Sequence, residues 1–273
     1  MSNNYSVIAQ KISYKSGFKK IINDISLAVL KNEYVGIIGG SGSGKTTLLN
    51  CLSTAKEISS GKVLLNGISS EETEKIRQFI GYVPQEDIVH SSLTAERALY
   101  FSCMLRINEN KDDKEIEAKV NSVLTLLELA EHKDKKISKL SGGQRKRVNI
   151  GLELLHSPDI FFLDEPSSGL DPLLEKQLMV FLKNLTKDGR TIFVSTHLMQ
   201  NINLFDLIIF IHKGQMVYFG PVNYIKDYFQ VNDYVDIFEK VSKNTPEALA
   251  SVFLKSGIYN SFLLKRINEI QSI

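Results

Sequence analysis

The chain has 273 residues, 43% of them hydrophobic and 23% charged, and a formal net charge of +2. That length suffices for one large α/β domain or two small ones with a sizeable core, in a composition ordinary for globular proteins. So small a net charge makes no electrostatic case for nucleic-acid binding. The two cysteines, Cys51 and Cys103, lie neither in a Cys-x-x-Cys pair nor near a histidine cluster, so they make none for a disulfide framework or a metal site.

The first residues, MSNNYSVIAQ, lack the basic and apolar regions of a signal peptide. No uncharged apolar run approaches the roughly 18 residues of a membrane span. The expectation is a soluble, cytosolic chain whose membrane part, if it serves one, lies on another chain or beyond residue 273. The basic runs Lys133 to Lys136 and Arg145-Lys146-Arg147 read as solvated helix faces.

Residues 5 to 38 alternate as strands with a turn at Gly17, and Val35-Gly36-Ile37-Ile38 runs straight into glycines. After Lys45 the pattern becomes helical, with Leu48, Leu49 and Leu52 on one face. Residues 61 to 83 hold two short strands around a charged helical stretch, Glu71 to Gln78. From 94 to 139 Leu99, Cys103, Leu105, Ile116, Val120, Val123, Leu124, Leu127 and Leu129 recur at helical spacing, predicting a helical insertion in a strand-rich frame. Strands follow at Ile160 to Leu163 and Thr191 to Ser195, separated by a helix from Leu173 to Lys187 that closes at Asp188-Gly189. Continuous apolar strands joined through a helix argue for a parallel sheet covered on both faces. Ile208 to Ile211 and Met216 to Phe219, joined at Lys213-Gly214, predict a last hairpin, and the final fifty or so residues read as amphipathic helices.

The sharpest motif is Gly39-Gly40-Ser41-Gly42-Ser43-Gly44-Lys45-Thr46, which fits G-x-x-x-x-G-K-[ST] after a strand and at the start of a helix. Small residues let successive backbone N–H groups turn toward phosphate oxygens, and the helix N-terminus, with Thr46 and Thr47 in its first turn, adds its dipole. Lys45 is placed to reach the β- and γ-phosphates and the Thr46 hydroxyl to ligate Mg²⁺, so the chain is expected to bind a nucleoside triphosphate. The strand Ile160-Phe161-Phe162-Leu163 ends in Asp164-Glu165. Asp164 is the candidate Mg²⁺ ligand and Glu165 the candidate base that polarises an attacking water, which favours hydrolysis over transfer.

A third motif, Leu140-Ser141-Gly142-Gly143-Gln144, resembles the LSGGQ signature of ABC ATPases. Ser141 and two glycines at a helix start form a second anion-binding nest, which one nucleotide does not need. The expectation is that Ser141, Gly142, Gly143 and Gln144 close on ATP held by another copy. The remaining parts resemble the ABC family in order and spacing over residues 5 to about 220. By that resemblance Gln85 is the glutamine that senses the γ-phosphate and Mg²⁺, Asp171 belongs to a loop crossing the dimer interface, and His197 contacts the γ-phosphate. Tyr14 resembles the aromatic that stacks on adenine, with Phe18 as the alternative.

Within the family, Gly81-Tyr82-Val83-Pro84-Gln85-Glu86-Asp87, Ser141 to Val148 and Gly151-Leu152-Glu153-Leu154 look most like the G-type branch, the pigment and sterol exporters, and its bacterial relatives. Asp171-Pro172, where many G-type members have Asp-Ser, sits closer to the bacterial side. The resemblance implies an α/β fold: a phosphate-loop NTPase core with a parallel sheet, an N-terminal antiparallel β subdomain and an inserted α-helical subdomain. Its expected division is an ATPase domain over 1–220, with core segments 1–93 and 140–220 around helical residues 94–139, and a C-terminal extension over 221–273 leading toward a membrane domain. The implied cofactors are ATP and Mg²⁺. The implied partners are a second copy or a paralogous ATPase domain, and a transmembrane permease in cis or in trans that holds the chain at the inner face of the membrane. The rival is a soluble ABC ATPase acting on ribosomes or nucleic acid. Against it, Lys45 and Ser141 stand only 96 positions apart with no sustained heptads between them, and the chain holds a single cassette.

Overall fold

The computed structural model describes residues 4–106 and 112–271. In chain order come β1 (Tyr5–Ser16), β2 (Lys19–Leu30), β3 (Tyr34–Ile38), α1 (Lys45–Leu52), β4 (Ser60–Leu65) and β5 (Ile68–Ser69). Next are α2 (Thr73–Ile76), β6 (Ile80–Val83), α3 (Ala95–Arg106), α4 (Asp113–Leu126), α5 (Gly142–Leu154) and β7 (Ile160–Asp164). The chain continues through α6 (Pro172–Lys187), β8 (Thr191–Thr196), β9 (Leu207–His212) and β10 (Gln215–Pro221). It finishes with α7 (Ile225–Phe229), α8 (Asp236–Ser242), α9 (Pro246–Leu254), a π-helical stretch at Tyr259–Leu264 and α10 (Lys265–Gln271).

Two sheets result. One is antiparallel, in the order β2-β1-β4-β5; the other has six strands in the order β10-β9-β3-β8-β7-β6, parallel from β9 to β6. The antiparallel unit is therefore not purely N-terminal: β4 and β5, which follow α1, complete it.

The six-stranded sheet is covered on both faces, and the period of two in its strands assigns each face. Val35 and Ile37, Ile160 and Phe162, and Phe193 join α1 and the antiparallel sheet in one core. Tyr34 and Ile38, Phe161 and Leu163, and Ile192 and Val194 join α3 to α6 in the other. All five residues of β3 and of β7 are buried, which is why both read as unbroken apolar runs. α6 starts on the Asp171 cap with Pro172 in its first turn and buries Leu178, Met179, Leu182 and Leu185 along one stripe.

The helical insertion is pinned at its neck. Ala95 N–H donates to Lys135 O, Ile137 N–H to Leu93 O and Ser138 N–H to Ser91 O, so its two ends are zipped together. Inside, Leu99, Cys103, Ile116, Val120, Leu124, Leu127 and Leu129 are buried as the spacing predicts. Leu105 is the exception at 87% exposure: it lies on the outward side of α3, close to the exposed Phe101 and Met104 along the chain.

No packing break falls at residue 220. β10 runs on to Pro221, and the helices beyond it supply Ile225, Phe229, Ile237 and Val241 to one core and Phe253 and Leu263 to the other. α10 then folds back onto the first hairpin. There Arg266 forms a two-pronged ion pair with Glu33 and donates to Ala28 O at 3.0 Å, and the Tyr5 hydroxyl donates to Glu269 at 2.8 Å. Residues 222–271 are thus part of the same packed body, burying apolar side chains against both cores.

Phe253 is completely buried among Tyr218, Tyr228 and Tyr259. Phe253→Ala should lower the unfolding free energy by about 3–5 kcal/mol, read as a lower urea midpoint at unchanged slope. A change below about 1 kcal/mol would show that the C-terminal helices are only loosely attached.

Candidate functional site

Parallel register brings three loops to one edge of the sheet. Ile38 at the end of β3 lies opposite Thr196 at the end of β8, and Asp164 at the end of β7 lies opposite Ser195. The glycine loop, Glu165 and His197 therefore leave neighbouring strands at the carboxyl edge, where open α/β sheets bind ligands.

The loop from Gly39 to Gly44 is held from behind. A Cβ at Gly39 would stand 2.3 Å from Ile211 O and 2.5 Å from Ser43 Oγ, so only glycine fits there. Gly40, Ser41 and Gly42 are exposed. Gly214, in the β9–β10 turn, donates to Ser43 O at 2.8 Å and accepts from Asn23 N–H at 2.9 Å. With φ at +83° and Ile21 O only 2.3 Å from any Cβ, position 214 also requires glycine. The hydroxyl of Ser43 is buried and has no partner among the described residues.

Lys45, 5% exposed, donates to Gly40 O at 3.2 Å and pairs with Glu165 Oε1 at 3.5 Å. The other Glu165 oxygen stands 3.3 Å from His197 Nδ1, so one carboxylate bridges a lysine and an imidazole. Glu165 adopts φ of +43°, a left-handed conformation costing on the order of 1–2 kcal/mol in a residue with a side chain. Ser195 holds it there: the Glu165 N–H donates to Ser195 Oγ at 2.9 Å and Ser195 O at 3.1 Å. The Ser195 hydroxyl in turn donates to Asp164 Oδ1. Thr46 Oγ1 donates to the same Asp164 oxygen at 3.0 Å. Nearby Tyr82 has its phenol pushed up to about 12, first by burial and then by the Asp164 charge.

Ser195 is a site residue that motif reading passed over. Its signal was present as a polar residue closing an apolar strand, in register with Asp164.

The remaining candidates are placed less directly. Ser141 and Gln144 form a reciprocal capping box at the start of α5: Gln144 N–H donates to Ser141 Oγ at 3.2 Å and Ser141 N–H to Gln144 Oε1 at 3.0 Å. The Gln144 side chain is thus committed to its own helix. What the nest offers is the Ser141 hydroxyl with the Gly142 and Gly143 N–H groups of the first turn. Asp171 is likewise committed, its carboxylate accepting from Leu173 and Leu174 N–H at 3.0 Å as the cap of α6. Gln85 is exposed two residues beyond β6, and among the described residues no hydrogen bond joins its side chain to Asp164 or Thr46. Tyr14 is half-buried, with Lys56 Nζ 5.3 Å from its ring centroid, whereas Phe18 is fully exposed at the tip of the first hairpin. Half-buried Thr47 follows Thr46 in the first turn of α1.

Among the described residues no cluster of three His, Cys, Asp or Glu side chains could hold a metal. The hydroxyl of Thr46 beside the carboxylate of Asp164 is nevertheless a hard-oxygen pair at a phosphate cradle, the donor set that suits Mg²⁺ when phosphate and water supply the rest.

The sequence profile described as "ABC transporter" matches residues 22–168. An ABC transporter ATP-binding/permease protein of Mycobacterium tuberculosis is 36% identical over 245 residues, which cover 88% of this chain and 28% of that protein. The broad substrate specificity ATP-binding cassette transporter ABCG2 of Mus musculus is 34% identical over 238 residues, 81% of this chain and 36% of that one. The chain thus spans about a third of the length of these relatives. Among solved structures, the dimeric ATP-binding cassette MJ0796, in a post-hydrolysis state with ADP and Pi, superposes with a TM-score of 0.69 at 27% identity, covering 79% of this chain and 98% of that one.

The two ends of the glycine loop should respond differently to one methyl group. Gly39→Ala should weaken nucleoside triphosphate binding at least about tenfold in a direct titration, because the Ile211 carbonyl cannot move out of the sheet. Gly40→Ala, with nothing within 4 Å, should bind as the parent does. Equal affinities for all three proteins would contradict this geometry.

Proposed function

The chain belongs to the ABC transporter family of ATP-binding domains, in its G-type branch, and from that premise we propose that it binds and hydrolyses ATP as half of an ATP-sandwiched dimer that powers transport, most naturally export. The observation that carries the reading is the convergence of Lys45, Asp164, Glu165 and His197 at one sheet edge, behind a loop built for phosphate.

In this reading the loop N–H groups and Lys45 take the β- and γ-phosphates. Lys45 then exchanges its pairing with Glu165 for the phosphate charge. Glu165, freed on that side and still beside His197, accepts the proton of the attacking water, while His197, half exposed, faces the γ-phosphate. Mg²⁺ held by Thr46 and Asp164 would neutralise phosphate charge. Ser195 keeps Asp164 and Glu165 in fixed relation throughout. Gln85 reaches this centre only when the site closes.

The signature nest supports a second copy as the partner. Ser141 opens α5 at the surface, and its nest is additional to the glycine loop, more than one nucleotide needs. The dimeric form of MJ0796 supports the same arrangement. A membrane permease, in cis or in trans, is the further partner, which places the chain at the inner face of the membrane. No helix among the described residues is long and apolar enough to cross a membrane. The exposed Ile88, Phe101, Met104 and Leu105 offer apolar surface for such docking.

Glu165→Gln should bind ATP as the parent does and release phosphate at least about 10²-fold more slowly, the scale of a lost general base; parental turnover would move the base elsewhere. Mixing Ser141→Arg with Lys45→Ala chains tests action in trans, since each is inactive alone. A mixed dimer combines the sound phosphate loop of the first with the sound signature of the second, so ATPase activity should return. No recovery although crosslinking shows mixed dimers would overturn the sandwich.

A further inference from the structure

We propose that Lys146 and Asn149, on the helix opened by the signature, are positioning residues that fasten the Gln85 loop to that helix and thereby couple the two ATP sites of the dimer. The proposal rests on the sandwich reading given above.

Three hydrogen bonds and one ion pair carry it. The Lys146 ammonium, 12% exposed, donates to Gln85 O at 2.8 Å and pairs with Asp87 Oδ1 at 3.0 Å. The Asn149 side chain, 2% exposed, donates to Asp87 Oδ1 at 3.0 Å and accepts from Ile88 N–H at 2.9 Å. Asn149 also donates to Arg145 O, one turn back on α5, so its amide is fixed to the helix before it reaches the loop. Both residues lie on the same face of α5, three positions apart, within two turns of Ser141. The Asp87 carboxylate, shared between an ammonium and an amide, is the knot of the clamp.

On the other side the ladder ends before the loop. β6 ends at Val83, and Pro84 has no N–H with which to extend the ladder to β7. By Gln85 the chain is already bonded to α5 rather than to the sheet. The position of Gln85 relative to Lys45 and Asp164 is therefore set by where α5 stands as well as by the strand that Gln85 follows.

Function follows from which nucleotide each end serves. In the sandwich reading the N-terminus of α5 meets the ATP bound by the partner, while Gln85 serves the ATP of its own chain. When α5 closes on the partner's nucleotide, the clamp carries Gln85 with it, so filling one site prepares the other. The coupling is a mechanical link between two binding events and must act equally in both directions.

The test is a charge exchange read on the full chain. Lys146→Glu sets two carboxylates against each other; Lys146→Glu combined with Asp87→Lys restores an opposite pair with the signs reversed. Asn149→Ala removes the other half of the clamp. For the native chain the ATPase rate should rise sigmoidally with ATP. Lys146→Glu and Asn149→Ala should each turn the curve hyperbolic and lower kcat about tenfold, while ATP binding measured by direct titration stays unchanged, because the phosphate loop is untouched. The exchanged pair restores the ion pair between positions 146 and 87, though a glutamate cannot donate to Gln85 O, and should regain part of the sigmoid. A native curve that is already hyperbolic, single variants that keep the sigmoid, or an exchange that restores neither rate nor sigmoid would each overturn the coupling. If the Ser141→Arg and Lys45→Ala mixture recovers activity while Lys146→Glu stays sigmoidal, the clamp fails and the sandwich stands. If that mixture shows no recovery, the sandwich fails and the coupling goes with it.

Discussion

Asp164 sits at the end of a fully buried strand and accepts hydrogen bonds from Thr46, on the glycine-loop helix, and from Ser195, on the next strand. A buried carboxylate is costly unless its lone pairs are taken, and here hydroxyls from two separate elements take them. That single oxygen therefore ties α1 and β8 to β7 and sets the distance between the glycine loop and the residues Glu165 and His197. Glu165 follows directly: with its N–H captured by Ser195, it is held in a left-handed conformation that presents its carboxylate to Lys45 and His197. The strain is local, and the buried sheet around it is rigid enough to maintain it.

Support for the cradle comes from the far end of the chain. The turn at Gly214 bonds both the loop at Ser43 and the first hairpin at Asn23, so the last hairpin, the first hairpin and the phosphate loop form one bonded group. His212, just before that turn, is a partly buried imidazole whose pKa is lowered, chiefly by burial and then by Lys213. α9 packs on β10 and α10 is latched to Glu33 through Arg266, at the root of the strand that feeds the loop. The C-terminal helices thus brace the site without lining it.

Much of this was legible in the sequence, for reasons that differ by residue. The strands β3, β7 and β8 were readable because both faces are buried and the runs are unbroken. The glycine loop and Asp164-Glu165 stand at strand ends where the motif spacing put them, and His197, read from the family resemblance, follows the neighbouring strand. What escaped is what depends on register or on distant packing. Ser195 matters because it falls opposite Asp164, and Lys146 and Asn149 because α5 passes beside residues 85–88. Leu105 had helical spacing but landed on the outer side of its helix. Gln144 and Asp171 were read from the family resemblance, and in the single chain their side chains cap helices, a local role that polar residues at helix starts commonly take. The C-terminal helices read as amphipathic, but that periodicity shows only that a face is buried, not against which elements.

In the proposed sandwich ATP itself joins two copies by bridging the glycine loop of one and the signature of the other. Sedimentation velocity of the Glu165→Gln chain, with and without ATP, tests it most directly. The account predicts a monomer without nucleotide, a dimer with ATP, and no dimer with ATP once Ser141→Arg is added. A Glu165→Gln chain that binds ATP yet sediments as a monomer at every concentration, or a dimer indifferent to both ATP and Ser141→Arg, would contradict it.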